Sequence, residues 1–357
     1  LEAVEKDIEP NMFFNMFEDQ EDREYIEQIY RKMVSIAILE DKKILLPKEI
    51  SIEITNKCNL NCKHCCIDAN SRTDEMSTDE IYRSIRKIAK WNPDNVSISG
   101  GEPLVRAGIV NLIGRINNIP GIEEIYLTTN GILLADKLEE LKLNGLKGVN
   151  ISLDSLKEER FSKLTRLGKL ENVLVAIDKA IELGIKVKLN TVIVNDVNKD
   201  EIIDFVNLTK EKPIDIRFIE LMPIGIAINY KGVTNEEVLK VIEDNYTDYE
   251  KVVRSKSGGP ATYIKLKGAK GKVGFISALS NCFCEDCNRI RLTPEGFLKQ
   301  CLHFDYGVDL KSKLRKGISD ENLREIIQEN IYDKPEKHLF LEKSEHKELK
   351  FMNQIGG

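Results

Sequence analysis

Cys58-Asn59-Leu60-Asn61-Cys62-Lys63-His64-Cys65 puts three thiols on one loop, directly after Ile50-Ser51-Ile52-Glu53-Ile54-Thr55, whose alternation reads as a strand. Thiolates hold iron–sulfur clusters, and three of them on a four-iron cluster leave one iron without a protein ligand. An open metal position signals chemistry rather than a structural plug. The run alone still admits zinc, because His64 or Cys66 can be nominated as a fourth ligand. Ser99-Gly100-Gly101-Glu102-Pro103, one strand–helix unit downstream, weighs against it, since a pure binding module has no need of that element.

Outward from this loop, segments 50–55, 96–99, 125–129, 149–153, 187–194 and 214–220 read as strands. Amphipathic helices fall between them, at 78–91, 172–183 and 199–209. Ser77 caps the first helix, and Glu80 completes a capping box. Repeated strand–helix units imply a parallel sheet with functional residues at the strands' C-terminal ends, where every motif is expected to fall. The predicted fold class is α/β, an open partial (β/α)6 TIM-like barrel over residues 46–240. Residues 1–45 read as a helical lead-in whose Tyr25, Ile26, Ile29, Tyr30, Met33, Ile36 and Ala37 share one apolar face. Beyond 240 the rhythm changes. Short strands at 263–266, 273–276 and 289–292 are expected to run antiparallel around a second cysteine group, followed by helices at 310–315 and 320–330. Residues 241–357 then form a C-terminal module that ends in Gly356-Gly357.

At 41% hydrophobic and 31% charged, the chain buries a core and is expected to be soluble. No stretch nears the roughly 20 apolar residues of a membrane span. No secretory signal is visible, so a cytoplasmic protein with no membrane partner is expected. A net charge of -6 argues against nucleic acid as a partner. All eight cysteines fall at 58–66 and 282–301. A disulfide framework spreads its cysteines through a shorter chain, so two metal sites in a reducing compartment fit better. The second group is Cys284-Glu285-Asp286-Cys287 with the remote Cys301. Arg289 and Arg291, between them, share one face of a strand, where two guanidiniums clamp a phosphate or carboxylate.

The cysteine loop with its Gly-Gly-Glu-Pro partner resembles the radical S-adenosylmethionine (SAM) superfamily. The resemblance implies a 4Fe-4S cluster whose open iron chelates SAM, and one-electron cleavage of SAM to a 5′-deoxyadenosyl radical. Gly100 and Gly101 would let backbone approach the methionyl part of SAM, Glu102 would pair with its ammonium, and His64 would lie near the adenine. Thr128-Thr129-Asn130-Gly131 and Ser152-Leu153-Asp154-Ser155 close the next strands, where hydroxyls and amides reach a ribose.

Residues 275–302, Arg217-Phe218-Ile219-Glu220-Leu221-Met222-Pro223 and Met352-Asn353-Gln354-Ile355-Gly356-Gly357 narrow the likeness. They resemble the GTP 3′,8-cyclase family, which opens molybdenum-cofactor biosynthesis. That resemblance implies two 4Fe-4S clusters, with Cys58, Cys62 and Cys65 on the SAM cluster and Cys284, Cys287 and Cys301 on a second that binds the purine of GTP. Gly101, Ser152 and Met222 would lie beside SAM. Thr128, Lys188, Arg217, Arg289 and Arg291 would face the nucleotide, and the Gly356-Gly357 tail would enter the active site. A flavodoxin or ferredoxin would supply electrons; oligomeric state is left open.

Three positions depart from that family. Ser51 stands where an arginine is usual, seven residues before the first cysteine, and Asn95 and Ser97 replace a lysine and an arginine. Charge-assisted hydrogen bonds are each worth about 1.5–3 kcal/mol, so these changes weaken a triphosphate site unless Lys57 or Arg106 compensates. Leu46-Pro47-Lys48-Glu49-Ile50 and the lead-in look more like radical-SAM enzymes that modify peptides, which makes a ribosomally made peptide the alternative substrate. Cys66 and Cys282 are extra thiols, and Cys282 as a fourth ligand would close the second cluster's open iron.

Overall fold

The computed structural model describes residues 47–63, 65, 69–70, 74–91, 93–223, 225–253, 259–281, 284, 287, 289–302 and 306–334. The lead-in, His64, Cys66, Cys282, Gly356 and Gly357 lie outside the described residues.

Six strands alternate with helices as the pattern predicts: β1 (Glu49–Glu53), β2 (Asn95–Ser99), β3 (Glu124–Thr129), β4 (Leu146–Ser152), β5 (Lys186–Val192) and β6 (Ile214–Ile219). Between them come α1 (Thr78–Ile88), α2 (Ile109–Asn117), α3 (Leu138–Leu143), α4 (Glu158–Thr165), α5 (Leu170–Glu182) and α6 (Ile202–Glu211). All six strands pair in parallel and in chain order. Alternation decides what each strand does. Ile50 and Ile52 are fully buried under the helices, which leaves Glu49 and Ser51 to the opposite face. In α1, Ile81, Ser84, Ile85 and Ile88 are buried at helical spacing. Both halves of the Ser77–Glu80 capping box are made, at 3.2 and 2.7 Å, a cap worth about 1 kcal/mol.

The C-terminal part changes the expected sheet. After α7 (Asn235–Glu243) come β7 (Tyr249–Val252), β8 (Thr262–Leu266), β9 (Val273–Ile276), β10 (Arg289–Leu292), β11 (Phe297–Lys299) and β12 (Gly307–Asp309). Helices α8 (Leu310–Arg315) and α9 (Asp320–Tyr332) follow. These strands were expected to pair among themselves. Instead β9 adds in parallel to β6, and β10 adds in parallel to β1, while β8 and β11 pair antiparallel with them on their outer sides. One twelve-stranded sheet results, with eight parallel strands at its centre. The local sequence could not announce this, because parallel partners lie far apart along the chain.

The sheet is rolled. A flat sheet would hold β1 and β6 roughly 24 Å apart, at about 4.8 Å per strand. Yet Arg217 on β6 sits in the field of both Arg289 on β10 and Glu49 on β1. A Cβ on Gly259, just before β8, would come within 3.0 Å of the Arg289 guanidinium. The partial barrel therefore encloses a lumen, lined by the polar alternate residues that the helices do not cover.

Candidate active site

The first cysteine loop leaves the C-terminal end of β1 and is tied to the Gly-Gly turn at the end of β2. Ile54 N–H donates to the Ser99 carbonyl at 3.0 Å, Gly101 N–H to Thr55 at 2.8 Å and Glu102 N–H to Lys57 at 2.8 Å. The two segments run so close that only glycine fits. A Cβ on Gly100, at φ +142°, would meet the Thr55 oxygen at 2.4 Å, and one on Gly101 the Lys57 oxygen at 2.4 Å. The glycines thus let the turn approach the stem of the cysteine loop, a contact that the expectation of a SAM approach did not include.

Glu102 is fully buried. Its carboxylate accepts from Leu104 N–H at 3.0 Å, the Thr129 hydroxyl at 2.8 Å and Asn130 N–H at 2.8 Å. Burial pushes its carboxyl up, against the pull of these bonds. As placed, Glu102 braces β2 against β3, and three of its four acceptor sites are used by described residues. Arg106 corrects another expectation. It donates to the Ile54 carbonyl and, at 2.7 Å, to the Met76 carbonyl, and pairs with Glu75 at 3.6 Å. Glu75 in turn accepts from Thr55 and Asn56 at 2.9 and 2.6 Å. Arg106 therefore clamps the base of the loop rather than replacing a lumen cation; Lys57 is exposed.

Within the loop, Cys65 N–H donates to the Cys62 carbonyl at 3.4 Å, and Leu60 N–H to the Cys58 sulfur at 3.4 Å. Asn130, at the end of β3, reaches Asn59 at 2.8 Å and Cys58 Sγ at 3.9 Å. Lys63 N–H is held by the Leu164 carbonyl at 2.9 Å. Burial, then the nearby Cys65, Asp154 and Cys58, push the Cys62 thiol up to about 12. Cys58 is raised too, burial again leading. Bare thiolates here repel one another, so the site favours them only around positive iron. Ser152 is exposed at the end of β4 and Met222 half-buried beyond β6, both on this rim. Ser155 is not available to a ligand: it is buried against Glu201 at 2.9 Å.

The second cysteine group stands at the other end. Cys284 and Cys287 share a turn, closed by a 3.0 Å backbone bond, immediately before β10. Antiparallel β11 returns Cys301 to the same place. Because β10 runs parallel to β1, with Arg289 opposite Glu49, this is the N-terminal end of the barrel. The expectation that every motif lies at C-terminal strand ends fails here. Between the Glu49 and Glu53 levels lies ~13 Å of strand, so the two groups bracket the lumen from opposite ends. Burial opposes thiolate formation at Cys287, but Lys334, Arg291 and Arg289 outweigh it and hold its thiol below the ordinary value.

No three His, Cys, Asp or Glu side chains among the described residues converge as ligands of one ion do. Thiols that feel each other's charge without meeting at a point suit a cluster, which takes its ligands at separate corners. The donor chemistry at both ends fits iron–sulfur ligation.

Between the ends, the lumen has two unlike walls. Arg217 donates to Asn190 and Asn150 at 2.8 Å each, and Asn150 to Thr128 at 3.3 Å. Lys188 lies over the Tyr126 ring at 4.8 Å; burial and the neighbouring Arg217 lower its pKa. Arg289 pairs with Glu49 at 2.8 Å. Arg291 keeps a buried Nε with no partner among the described residues. Next to these cations, on β1 and β2, the wall turns largely uncharged: Ser51 stands between Ser97 and Arg291, and Asn95 beside Glu49. Glu49, Asn150 and Asn190 escaped the sequence reading as site residues, since strand register alone brings them inward.

Comparison with known proteins accords with this geometry. The Radical SAM superfamily model matches residues 52–209 and the Molybdenum Cofactor Synthesis C model residues 214–340. A GTP 3′,8-cyclase of Clostridium perfringens is 56% identical over 312 residues, covering 86% of this chain and 97% of that protein. One from Alkaliphilus metalliredigens is 43% identical over 314 residues, covering 86% and 96%. Streptococcus suis SuiB, solved bound to S-adenosylmethionine, shares the fold, with a TM-score of 0.65 at 16% identity over 95% of this chain and 78% of that one. The chain belongs to the GTP 3′,8-cyclase family, radical SAM enzymes that work with a 4Fe-4S cluster and SAM.

Proposed function

We propose that this enzyme cyclises GTP in molybdenum-cofactor biosynthesis, holding one 4Fe-4S cluster on Cys58, Cys62 and Cys65 and another on Cys284, Cys287 and Cys301. Held at the upper rim by Cys58, Cys62 and Cys65, the reduced cluster with SAM would supply radical chemistry: hydrogen would leave the ribose C3′, the C3′ radical would add to C8 of guanine, and one electron from the donor with a proton would close the resulting base radical. The observation that carries the reading is the buried Arg291 Nε, without a partner among the described residues, on the lumen wall shared with Arg289, Arg217 and Lys188. An unsatisfied buried donor costs about 1–3 kcal/mol, which an anionic ligand returns.

The chain's own residues then divide the work. Asn150 and Asn190 hold the Arg217 guanidinium toward the lumen, and Glu49 does so for Arg289. Thr128 and Ser152 offer hydroxyls on the rim nearest the first thiols. The triphosphate lies along β5, β6 and β10, and the neutral Ser51–Ser97 wall takes uncharged parts of the substrate. Met222 beside SAM completes the described part of the proposed site; the family resemblance would add His64 and Gly356-Gly357, which lie outside the described residues. Residues 46–240 act as the barrel together with β9 and β10 of the 241–357 module, which carries the second cluster, in a reducing cytoplasm with a flavodoxin or ferredoxin as donor.

Anaerobic turnover of the iron-reconstituted protein with SAM, dithionite and GTP tests this. Equal amounts of 5′-deoxyadenosine and a cyclised nucleotide are expected. SAM cleavage without a nucleotide product rejects GTP and leaves a peptide as the substrate to seek.

A further inference from the structure

We propose that Lys334 is a positioning residue for the second cluster, on the two-cluster reading above. Lys334 follows the end of α9, and its ammonium meets three acceptors. It donates to the Cys287 carbonyl at 2.5 Å and the Arg289 carbonyl at 2.7 Å, and reaches Cys287 Sγ at 3.5 Å. An ammonium has three N–H donors, so this tripod uses all of them. Stripping water from a lysine is costly unless such partners replace it.

The helix that carries Lys334 is itself latched to the other ligand segment. Leu323, Ile327 and Ile331 are buried, and Gln300, next to Cys301, donates to the Asn330 carbonyl at 2.6 Å. Thus α9 grips the Cys301 segment one turn before Lys334 grips the Cys287 turn. Lys334 also lies in the field of Cys301. Two consequences follow. The Cys287–Arg289 backbone is fixed, which sets where Arg289 enters the lumen. A positive charge donating to a ligand sulfur stabilises the more negative, reduced cluster and raises its potential.

The test uses the full-length enzyme, reconstituted anaerobically, with Lys334→Met and Lys334→Arg followed by redox titration and electron paramagnetic resonance. The first cluster serves as internal reference. Lys334→Met is expected to disfavour reduction of the second cluster at least tenfold, about 59 mV for one electron, with the first unchanged. Lys334→Arg, which keeps the charge, is expected to stay closer to wild type. If Lys334→Met sheds the second cluster, its retention in Lys334→Arg supports the same role. Wild-type potentials in Lys334→Met, or equal loss of the cluster in both variants, overturn the proposal. A wild-type enzyme that takes up only one cluster overturns the two-cluster reading instead.

Discussion

At the upper rim, burial and the neighbouring Cys65, Asp154 and Cys58 push the Cys62 thiol up to about 12, whereas at the lower rim Lys334, Arg291 and Arg289 outweigh burial and hold Cys287 below its ordinary value. The same residue type, in two three-thiol groups at two ends of one lumen, meets opposite fields. Among the described residues no cation offsets burial at Cys58 or Cys62, which leaves these thiols dependent on iron. The lower rim sets fixed positive charge beside Cys287, which an anionic substrate would also feel. On the proposed function, the upper end serves radical generation and the lower end substrate anchoring.

The largest break in this comparison comes from removing one thiol at each end. Cys62→Ala is expected to abolish SAM cleavage, read as 5′-deoxyadenosine by mass. Cys287→Ala is expected to keep SAM cleavage while losing the nucleotide product. Complete loss of cleavage in both would show that the two ends do not act separately.

Gly101→Ala comes next. Its added methyl would meet the Lys57 and Asn56 oxygens at 2.4 and 2.8 Å, and overpacking of this kind costs about 1–3 kcal/mol. A lower Tm is expected, with iron lost from the first group and retained at the second. An unchanged Tm would mean that the two backbone segments part easily.

Arg291→Ala is expected to weaken GTP binding by about 1.5–3 kcal/mol, roughly 10- to 150-fold in Kd. Glu49→Gln leaves Arg289 in place and should cost less. Calorimetry on the anaerobic enzyme without SAM reads both, and an unaltered Kd in Arg291→Ala would remove the anion wall from the proposed site.

The subtlest contrast is in pH. In the iron-free protein, alkylation of Cys287 is expected to begin at lower pH than that of Cys62. The linkage signs are opposite. Cys62, with its folded pKa raised, contributes stability below its unfolded value that is lost as pH rises toward about 12. Cys287, with its folded pKa depressed, contributes stability above its unfolded value that is lost as pH falls through the folded one. Peptide mapping after timed alkylation separates them, and equal onset would erase the electrostatic contrast.

Much of the upper rim was legible in the chain. The Ser77–Glu80 cap, the six parallel strands and the proximity of the cysteine loop to the Gly-Gly turn follow from local pattern and from motifs one strand–helix unit apart. What those motifs do was less legible. Glu102 is enclosed by strand-end donors and Arg106 is turned onto backbone carbonyls, because burial demands partners that only neighbouring elements supply. Lys334 carries no local signal at all.

By itself the sequence determined which atoms are available for chemistry: two three-thiol groups, the arginine pair of β10 and alternating strands with one polar face. These are properties of spacing along one segment. Tertiary structure alone decided that β10 lies beside β1, that the sheet rolls until Arg217 faces Arg289, and that the second thiol group stands at the opposite end from the first. Parallel pairing joins segments some 240 residues apart, as between Glu49 and Arg289, and no local pattern specifies such a partner.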